Sequence, residues 1–254
     1  MRHVILGNGN LGNALVKELI KNNMEFKIFS TTTGWKYPTN DLTKIHDFVP
    51  DHVWVTTGAG SVEQSHTDYR PFVDLHIRLP LELAQTLNSS VHLHLFSTDY
   101  CSVTPQSLYA LSKQHMEDDI MMLGRPRTFI YRVGSLYGTF KPQKCFPYKL
   151  KRNYAAGKKI TLPPNCVCPT PVDWLAAEIL KPLAVGMPFM PCSFPMTVSP
   201  KGCTTTKGWG ELILGREVEE APLDTSRPMD CPHFNKANVP TWLELWKERE
   251  VDWL

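Results

Sequence analysis

The chain has 254 residues, of which 42% are hydrophobic, so it is long enough for one large domain or for a domain with a smaller lobe. Its formal net charge of +2 gives no reason to expect nucleic acid or an anionic membrane as a partner. No apolar run approaches the roughly 18 residues of a membrane span, and no hydrophobic leader precedes the first apolar run, so we expect a cytoplasmic protein with a small ligand.

In the first half of the chain, short β-rich runs alternate with helical stretches. The strand candidates are residues 3–6, 26–29, 53–57, 91–97 and 128–133, and the helix candidates are residues 11–21, 71–87 and 108–123. The runs that start at Val53, Val91 and Thr128 are apolar at odd and even positions alike, as strands covered on both faces are. This order predicts an α/β fold with a Rossmann-type, doubly wound parallel sheet.

The second half of the chain differs in composition and in the length of its predicted elements. Many of the 21 prolines fall between Pro142 and Pro240, and the regular pieces between them are shorter. Helical spacing returns in residues 174–183, 204–214 and 241–249. We expect a small, loop-rich C-terminal lobe without a linker long enough to make it independent.

The cysteines and histidines give no sign of a metal site. The seven cysteines are an odd number in a chain that does not need disulfides, so we expect all of them to be reduced. Cys166 and Cys168 lack the second pair that a zinc site needs. His92 and His94 alternate along a predicted strand, and we interpret them as ordinary strand residues.

The first predicted strand leads directly into a glycine-rich turn and then into a helix. This G-x-G-x-x-G pattern, in this context, is typical of a dinucleotide site: Gly7 permits the turn, Gly9 leaves room for the diphosphate, and Gly12 lets the helix pack closely. The N–H groups at the start of the helix would face the phosphates. The candidate cofactor-binding residues of the turn are Gly7, Asn8, Gly9, Asn10, Leu11 and Gly12.

The second predicted strand ends without the carboxylate that would bind the ribose of NAD. Ser30 and Thr31 stand there, with Lys36 nearby, which favours NADP, although no arginine is present and NAD stays open. Asp41 and Leu42 are candidates for contact with the adenine, and a solvated surface turn is an equal alternative for them.

A tyrosine and a lysine four residues apart share one face of a helix, where the ammonium can lower the pKa of the phenol. The spacing occurs three times, at Tyr109/Lys113, Tyr137/Lys141 and Tyr154/Lys158. Ligands of a doubly wound sheet bind at the carboxyl ends of its strands, and only the helix of Tyr109 follows such an end. Position therefore favours Tyr109 and Lys113 as the catalytic pair.

Together with the glycine turn, two further segments resemble the extended short-chain dehydrogenases/reductases. They are Ser97-Thr98-Asp99-Tyr100 and Tyr109-Ala110-Leu111-Ser112-Lys113. The chain is most similar to the dTDP-4-dehydrorhamnose reductase family, over nearly its whole length. Later segments fit the same family: 131–138, 169–176, Arg227-Pro228, and Pro240 with Trp242.

The resemblance implies a division of the chain and roles for its residues. It implies a dinucleotide-binding domain in residues 1–140, to which residues 170–185 return, and a partly interleaved substrate lobe in residues 141–254. Tyr109 would be the proton donor, Lys113 would hold the nicotinamide ribose, and Thr98 would bind the substrate carbonyl oxygen. Thr57, Gly58 and Ala59 would contact the cofactor. A homodimer is a further expectation of the resemblance.

Three departures from the family affect the predicted substrate pocket. Thr98 and Tyr109 are 109 − 98 = 11 positions apart, about half the family spacing. Residues 55–60 replace an asparagine-and-alanine run, and His76 stands where an asparagine is expected. Residues 163–168 replace a polar, glycine-containing stretch.

The first functional hypothesis is an NADP-preferring reductase of a nucleotide-linked 4-keto sugar or another small carbonyl substrate. An epimerase or dehydratase of the same superfamily would use the same groups and stays open. A non-catalytic dinucleotide-binding regulatory subunit is the third hypothesis, which the shortened loop favours and the intact tyrosine and lysine disfavour.

Overall fold

Six parallel strands form the central sheet of the computed structural model, which describes residues 1–102, 107–184, 194–224 and 240–248. The strands are β1 Arg2–Leu6, β2 Glu25–Phe29, β3 His52–Val55, β4 His92–Thr98, β5 Thr128–Val133 and β10 Met196–Thr197. Their order across the sheet is β10-β5-β4-β3-β1-β2. The order reverses between β1 and β3, which is where doubly wound sheets open a ligand crevice at their carboxyl edge. The predicted fold class is confirmed.

Helices cover both faces of the sheet and continue into the C-terminal half. They are α1 Asn10–Lys21, α2 Thr43–Asp47, α3 Val62–Thr67, α4 Arg70–Phe72, α5 Leu79–Thr86, α6 Leu108–Leu123, α7 Phe146–Ala155, α8 Val172–Ala184, α9 Thr206–Leu214 and α10 Trp242–Glu248. A π-helix, Val73–Arg78, separates α4 from α5. The single helix predicted for residues 71–87 is therefore three pieces, since the wider π turn interrupts the regular spacing.

The two faces of the sheet carry different side chains. Toward α5 and α6 the strands present aliphatic residues, among them Val4, Val53, Leu93 and Ile130. Toward α1 and α8 they present Ile5 and an aromatic set that includes Trp54, Phe96, Phe129 and Tyr131. Because α8 packs against α1 on this second face, residues 172–184 belong to the layer around the sheet, although they follow most of the C-terminal strands in sequence.

Short strand pairs organise the rest of the chain beyond β5. Strand β6 Ser135–Tyr137 pairs with β9 Pro169–Pro171, β7 Thr161–Leu162 with β12 Glu219–Glu220, and β8 Cys166–Val167 with β11 Thr204–Thr205. A separate core around Tyr137, Trp209 and Trp246 joins this region to α7, α9 and α10. Within the described residues, none of the helices is long and apolar enough to span a membrane.

The expectation that all cysteines are reduced was wrong for Cys166. Cys101, Cys145, Cys168 and Cys203 are free thiols, but Cys166 is disulfide-bonded, to a partner outside the described residues. The number of cysteines could not reveal this pairing, because a disulfide depends on how closely the fold brings two Cα atoms together. The Arg227-Pro228 segment noted above also lies outside the described residues.

A buried row of histidines crosses the sheet near the amino ends of its strands. His3, His52 and His92 lie side by side in register, and their rings stack at centroid distances of 4.8 and 4.6 Å. His52 Nδ1 lies 3.0 Å from His94 Nε2, and His94 Nδ1 lies 2.9 Å from the Tyr131 hydroxyl. Both nitrogens of His94 are thus used in hydrogen bonds, as a structural role requires.

Burial lowers the pKa of these histidines. It lowers the pKa of His3 to about 4 and that of His52 to about 2, and it holds the pKa of His94 well below its usual value. An unfolded chain takes up these protons near pH 6.5, so the folded state binds fewer protons below that pH. The stability is therefore complete above about pH 6.5 and falls as the pH drops toward 4.

We expect urea denaturation at pH 7, 6 and 5 to give a steadily smaller free energy of unfolding. Each such imidazole contributes up to about 1.4 kcal/mol per pH unit once the unfolded state is protonated. His3→Gln keeps an acceptor for Trp54 Nε1, which donates to His3 Nδ1 at 3.2 Å, and should give a smaller slope. A stability that does not change between pH 7 and pH 5 would contradict this account of the histidine row.

Candidate functional site

The glycine turn is closed by contacts that leave no room for side chains at its first and last glycines. Gly7 has φ +107°, and a Cβ there would lie 3.0 Å from the Thr57 amide nitrogen. A Cβ at Gly12 would lie 2.2 Å from the carbonyl oxygen of Gly7. The Thr56 hydroxyl donates to the carbonyls of Leu6 and Gly7, at 2.9 and 3.1 Å. The turn is therefore held from both sides, by α1 and by the end of β3.

The middle of the turn is open. A Cβ at Gly9 would meet nothing within 4 Å, and no side chain caps α1 at this residue. The N–H groups of the first turn of α1 are thus available to an anion. Leu11 is buried in the core, so it can offer only its backbone.

Asn10 has a structural role that its position in the motif does not reveal. Its amide nitrogen donates to the Lys141 carbonyl at 3.1 Å, and its amide oxygen accepts from the Lys141 N–H at 2.6 Å. The same amide nitrogen lies 3.1 Å from the Cys145 Sγ. Asn10 thus fixes the segment after β6 to the start of α1.

The hydroxyls after β2 form one cluster. Residues 31–33 make a single 3-10 turn, the Ser30 hydroxyl lies 3.0 Å from the Thr32 hydroxyl, and Asn8 Nδ2 donates to Thr32 Oγ1. Thr31 is exposed on this turn, as is Lys36 farther along the chain. The cluster lies beside the glycine turn, as a site for the adenosine ribose should.

Asp41 and Leu42 differ in their surroundings. Asp41 is exposed and its carboxylate accepts from the Thr43 N–H at 3.3 Å, as in the alternative of a surface turn. Leu42 is 5% exposed and packs in the core, so only its backbone is free to contact a ligand. The adenine contact of these two residues stays a prediction.

The segment after β3 reaches the same crevice. Gly58 has open space around it, and the Thr57 hydroxyl oxygen is buried without a hydrogen-bond partner within the described parts of the chain. The Ala59 N–H donates to His76 Nε2 at 3.4 Å. A buried hydroxyl that lacks a partner is costly, which is consistent with a ligand atom beside Thr57.

Thr98 and Asp99 lie at the carboxyl end of β4, both almost fully buried. The Thr98 hydroxyl donates to Asp99 Oδ1 at 3.2 Å and accepts from the Tyr100 N–H at 3.3 Å. Burial raises the pKa of Asp99 to about 7, although its hydrogen bond with Thr98 lowers it. The sequence reasoning did not select Asp99, and its burial could not be read from the sequence.

Tyr109 lies in the first turn of helix α6, beside the carboxyl end of β4. Ser107 caps the helix by accepting from the Ala110 N–H at 3.2 Å. The Tyr109 ring packs edge-on against Phe72, His76 and Tyr100, at centroid distances of 6.2, 5.5 and 6.4 Å. Burial, together with the acidic groups nearby, raises the pKa of Tyr109 above its usual value.

Lys113 lies one turn farther along α6 and is 7% exposed. Its ammonium donates to the Phe96 carbonyl of β4 at 2.8 Å, and burial lowers its pKa to about 8. The expectation that Lys113 lowers the tyrosine pKa does not describe this structure, because burial dominates the environment of Tyr109.

The other two Tyr-x-x-x-Lys matches do not form helical pairs. Tyr137 lies in strand β6, with its ring against Trp209 and Trp246. Tyr154 is 44% exposed near the end of α7, and its hydroxyl accepts from Arg216 at 2.9 Å. Position along the sheet was therefore sufficient to separate Tyr109 from both.

His76 connects the segment after β3 with helix α6. It lies in the π-helix, and π-helical turns are frequent at functional sites. Its Nδ1 lies 2.9 Å from the Ser112 hydroxyl, which donates to the Tyr109 carbonyl at 2.7 Å. Burial and the nearby Lys113 hold the pKa of His76 well below its usual value, so a neutral ring donates to Ser112 and accepts from Ala59. His76 is thus a positioning residue for Tyr109.

A cavity of about 550 Å³ opens in front of Thr98 and Tyr109. Its walls come from the ends of β4 and β5, from the start of α3, and from α7. Lys144, Phe146 and Lys149 line the side that belongs to the C-terminal half of the chain. Sequence reasoning missed these three residues, since nothing in their local pattern relates them to β4.

Comparison with known proteins was made on sequence and on structure. No protein-family model and no curated protein sequence matches the chain. Among solved structures, a dTDP-4-dehydrorhamnose reductase from Clostridium acetobutylicum is 22% identical, with a TM-score of 0.73 over 98% of each chain. The reductase of the same name from Bacillus anthracis, in complex with NADP, is 20% identical, with a TM-score of 0.76 over 97% of each chain.

A UDP-glucose 4-epimerase from Thermus thermophilus, in complex with NAD, has the same fold. It is 19% identical to this chain, with a TM-score of 0.72 over 98% of this chain and 93% of that one. These likenesses confirm the Rossmann-type α/β fold that was predicted from the sequence.

We expect Gly12→Ala to lower the free energy of unfolding by at least about 2 kcal/mol, because the new Cβ would collide with a backbone carbonyl that cannot move aside. Gly9→Ala, in open space in the same turn, should cost less than about 1 kcal/mol. Urea denaturation of both variants measures the difference. Equal stabilities would show that α1 does not approach Gly7 as described.

Proposed function

We propose that the protein is an NADP-preferring oxidoreductase that reduces a keto carbon of a nucleotide-linked sugar. The observation that carries the proposal is the convergence of Thr98 and Tyr109 on one cavity at the carboxyl edge of the sheet whose first strand ends in the glycine turn. The solved structures of similar fold include a reductase in complex with NADP and an epimerase in complex with NAD, which act on dTDP- and UDP-linked sugars by their names.

The residues of the first half fit a dinucleotide. Gly9 offers an open surface next to uncapped N–H groups, and the Thr57 hydroxyl is buried and unpaired within the described residues. Gly7, Asn8, Gly9, Gly12 and the backbone of Asn10 and Leu11 would hold the diphosphate. Ser30 and Thr31 would face the adenosine ribose, Thr57, Gly58 and Ala59 would line its path, and Lys113 would hold the second ribose. When bound, the cofactor supplies the hydride.

Tyr109 is suited to donate a proton. The phenol is protonated at neutral pH, and a protonated acid is what the reduction of a carbonyl needs as an alkoxide develops. Thr98 lines the cavity at the end of β4 and would support the same oxygen. Its hydroxyl proton is directed at Asp99 Oδ1 in this structure, so the hydroxyl would exchange that hydrogen bond for one to the substrate oxygen.

An epimerase or a dehydratase of the same superfamily would use the same groups. Those reactions begin with the oxidation of an alcohol, for which the tyrosine must first accept a proton as a phenolate. Net consumption of NADPH during turnover is the feature that distinguishes a reductase from them.

The C-terminal half of the chain would bind the substrate, in keeping with the predicted boundary between the dinucleotide-binding domain and the substrate lobe at residues 140 and 141. Lys144 and Lys149 line the same cavity as Thr98, and two lysines suit an anionic ligand. Phe146 beside them offers an apolar face. A sugar attached to a nucleoside diphosphate has both characters.

One observation favours the alternative of a dinucleotide-binding protein without catalysis. The Lys113 ammonium already donates to the Phe96 carbonyl, and Lys113 is not among the groups that shift the Tyr109 pKa. In that alternative the tyrosine and the lysine would serve binding alone. Turnover of the Tyr109 variant separates the two functions.

We expect Tyr109→Phe to reduce the rate of NADPH oxidation by at least about 100-fold, because the proton donor is lost. The phenylalanine ring keeps the contacts with Phe72, His76 and Tyr100, so the dissociation constant of NADPH should change little. The assay follows absorbance of the reduced nicotinamide with a panel of keto nucleotide sugars.

Tyr154→Phe is the matched control, since it removes an exposed phenol outside the cavity and should leave the rate unchanged. If wild-type protein binds NADPH but no substrate gives turnover, and Tyr109→Phe changes nothing measurable, the regulatory function replaces the enzymatic one.

A further inference from the structure

Lys141 belongs to a Tyr-x-x-x-Lys match that the catalytic assignment leaves unused, yet the fold brings it to the glycine turn. It follows strand β6, far along the chain, and the two hydrogen bonds between its backbone and the Asn10 amide fix it at the start of α1. A Cβ at Gly138 would lie 3.7 Å from the Asn10 Cβ, so the chain passes close to α1 just before Lys141. The position of Lys141 is therefore set by its main chain.

The Lys141 ammonium points at the glycine turn. It donates to Asn8 Oδ1 at 3.0 Å, in a partly buried position. Among the salt bridges of residues 1–102, 107–184, 194–224 and 240–248, none involves Lys141. An ammonium has three donors and a full charge, and a neutral amide satisfies it poorly. An anion is the missing partner that this charge favours.

The surroundings of Asn8 indicate which anion fits. The Asn8 side chain accepts from Lys141 and donates to Thr32, which belongs to the hydroxyl cluster after β2. On the other side, Gly9 faces open space beside the uncapped first turn of α1. Lys141 therefore lies between the site for the diphosphate and the site for the adenosine ribose.

We propose that Lys141 binds a phosphate group of the dinucleotide held by the glycine turn. The inference rests on the proposed function, because it requires that a dinucleotide occupies this turn. A lysine ammonium is a compact charge that binds phosphate oxygens without a fixed geometry. It adds a second cation near the segment after β2, which offers Lys36 but no arginine. Because Lys141 follows β6, the bound phosphate also joins the second half of the chain to the first.

Lys141 has two candidate partners in NADP, the diphosphate and the 2′-phosphate. The diphosphate is common to NADPH and NADH, whereas the 2′-phosphate is present only in NADPH. The affinities of one Lys141 variant for NADPH and for NADH therefore show which of the two phosphate groups Lys141 binds.

The test measures the dissociation constants of NADPH and NADH by calorimetry for the wild type and for Lys141→Met, which keeps the length of the side chain without its charge. We expect binding to weaken at least tenfold. Equal weakening for both cofactors assigns the diphosphate, and weakening for NADPH alone assigns the 2′-phosphate. Lys141→Arg should stay within about threefold of the wild type, since the charge is retained.

Lys158→Met is the matched control, because Lys158 is an exposed lysine of another Tyr-x-x-x-Lys match. If Lys141→Met binds both cofactors as the wild type does, the inference is overturned and the proposed function stands, and a lower melting temperature alone would mark Lys141 as a structural tether. If the wild type binds neither cofactor, the inference and the proposed function both fail.

Discussion

The close approach of helix α1 to the end of strand β1 is the constraint on which the rest of the site depends. Gly12 packs directly on the Gly7 carbonyl, and the Thr56 hydroxyl holds the same carbonyl from the end of β3. This contact brings the open N-terminus of α1 to the point where the strand order reverses, and a larger residue at either glycine would separate them. The hydroxyl cluster after β2, the buried Thr57 hydroxyl and the Lys141 ammonium all take their positions relative to this turn.

The chemistry that we propose depends on a second feature, the packing of Tyr109 at the wall of the cavity. Aromatic rings pack edge-on against its ring, and His76 and Ser112 fix the first turn of its helix from the side of β3. Burial raises the tyrosine pKa and lowers that of Lys113, so a neutral phenol lies near a lysine that holds its proton less tightly than usual. A protonated phenol at the cavity wall is the group that the reduction of a carbonyl needs.

The sequence was sufficient to predict the features that rest on local spacing. The glycine turn, the alternation of strands and helices, and the helix that carries both Tyr109 and Lys113 all follow from residues close together in the chain. The remaining features depend on contacts between distant segments. Asn10 and Lys141 are separated by 131 positions, so the position of Lys141 could not be predicted. Leu42 is in the core because α5 and α6 cover it, and Asp99 is buried because the cavity walls close around it.

A crystal structure of the protein with NADPH is the most direct test of the central claim, that a dinucleotide on the glycine turn presents its nicotinamide ring to Tyr109. The account predicts the diphosphate over Gly9, and the nicotinamide within contact of the Tyr109 hydroxyl on the side of the cavity that Thr98 lines. A dinucleotide bound elsewhere, or a nicotinamide ring directed away from Tyr109, would contradict it.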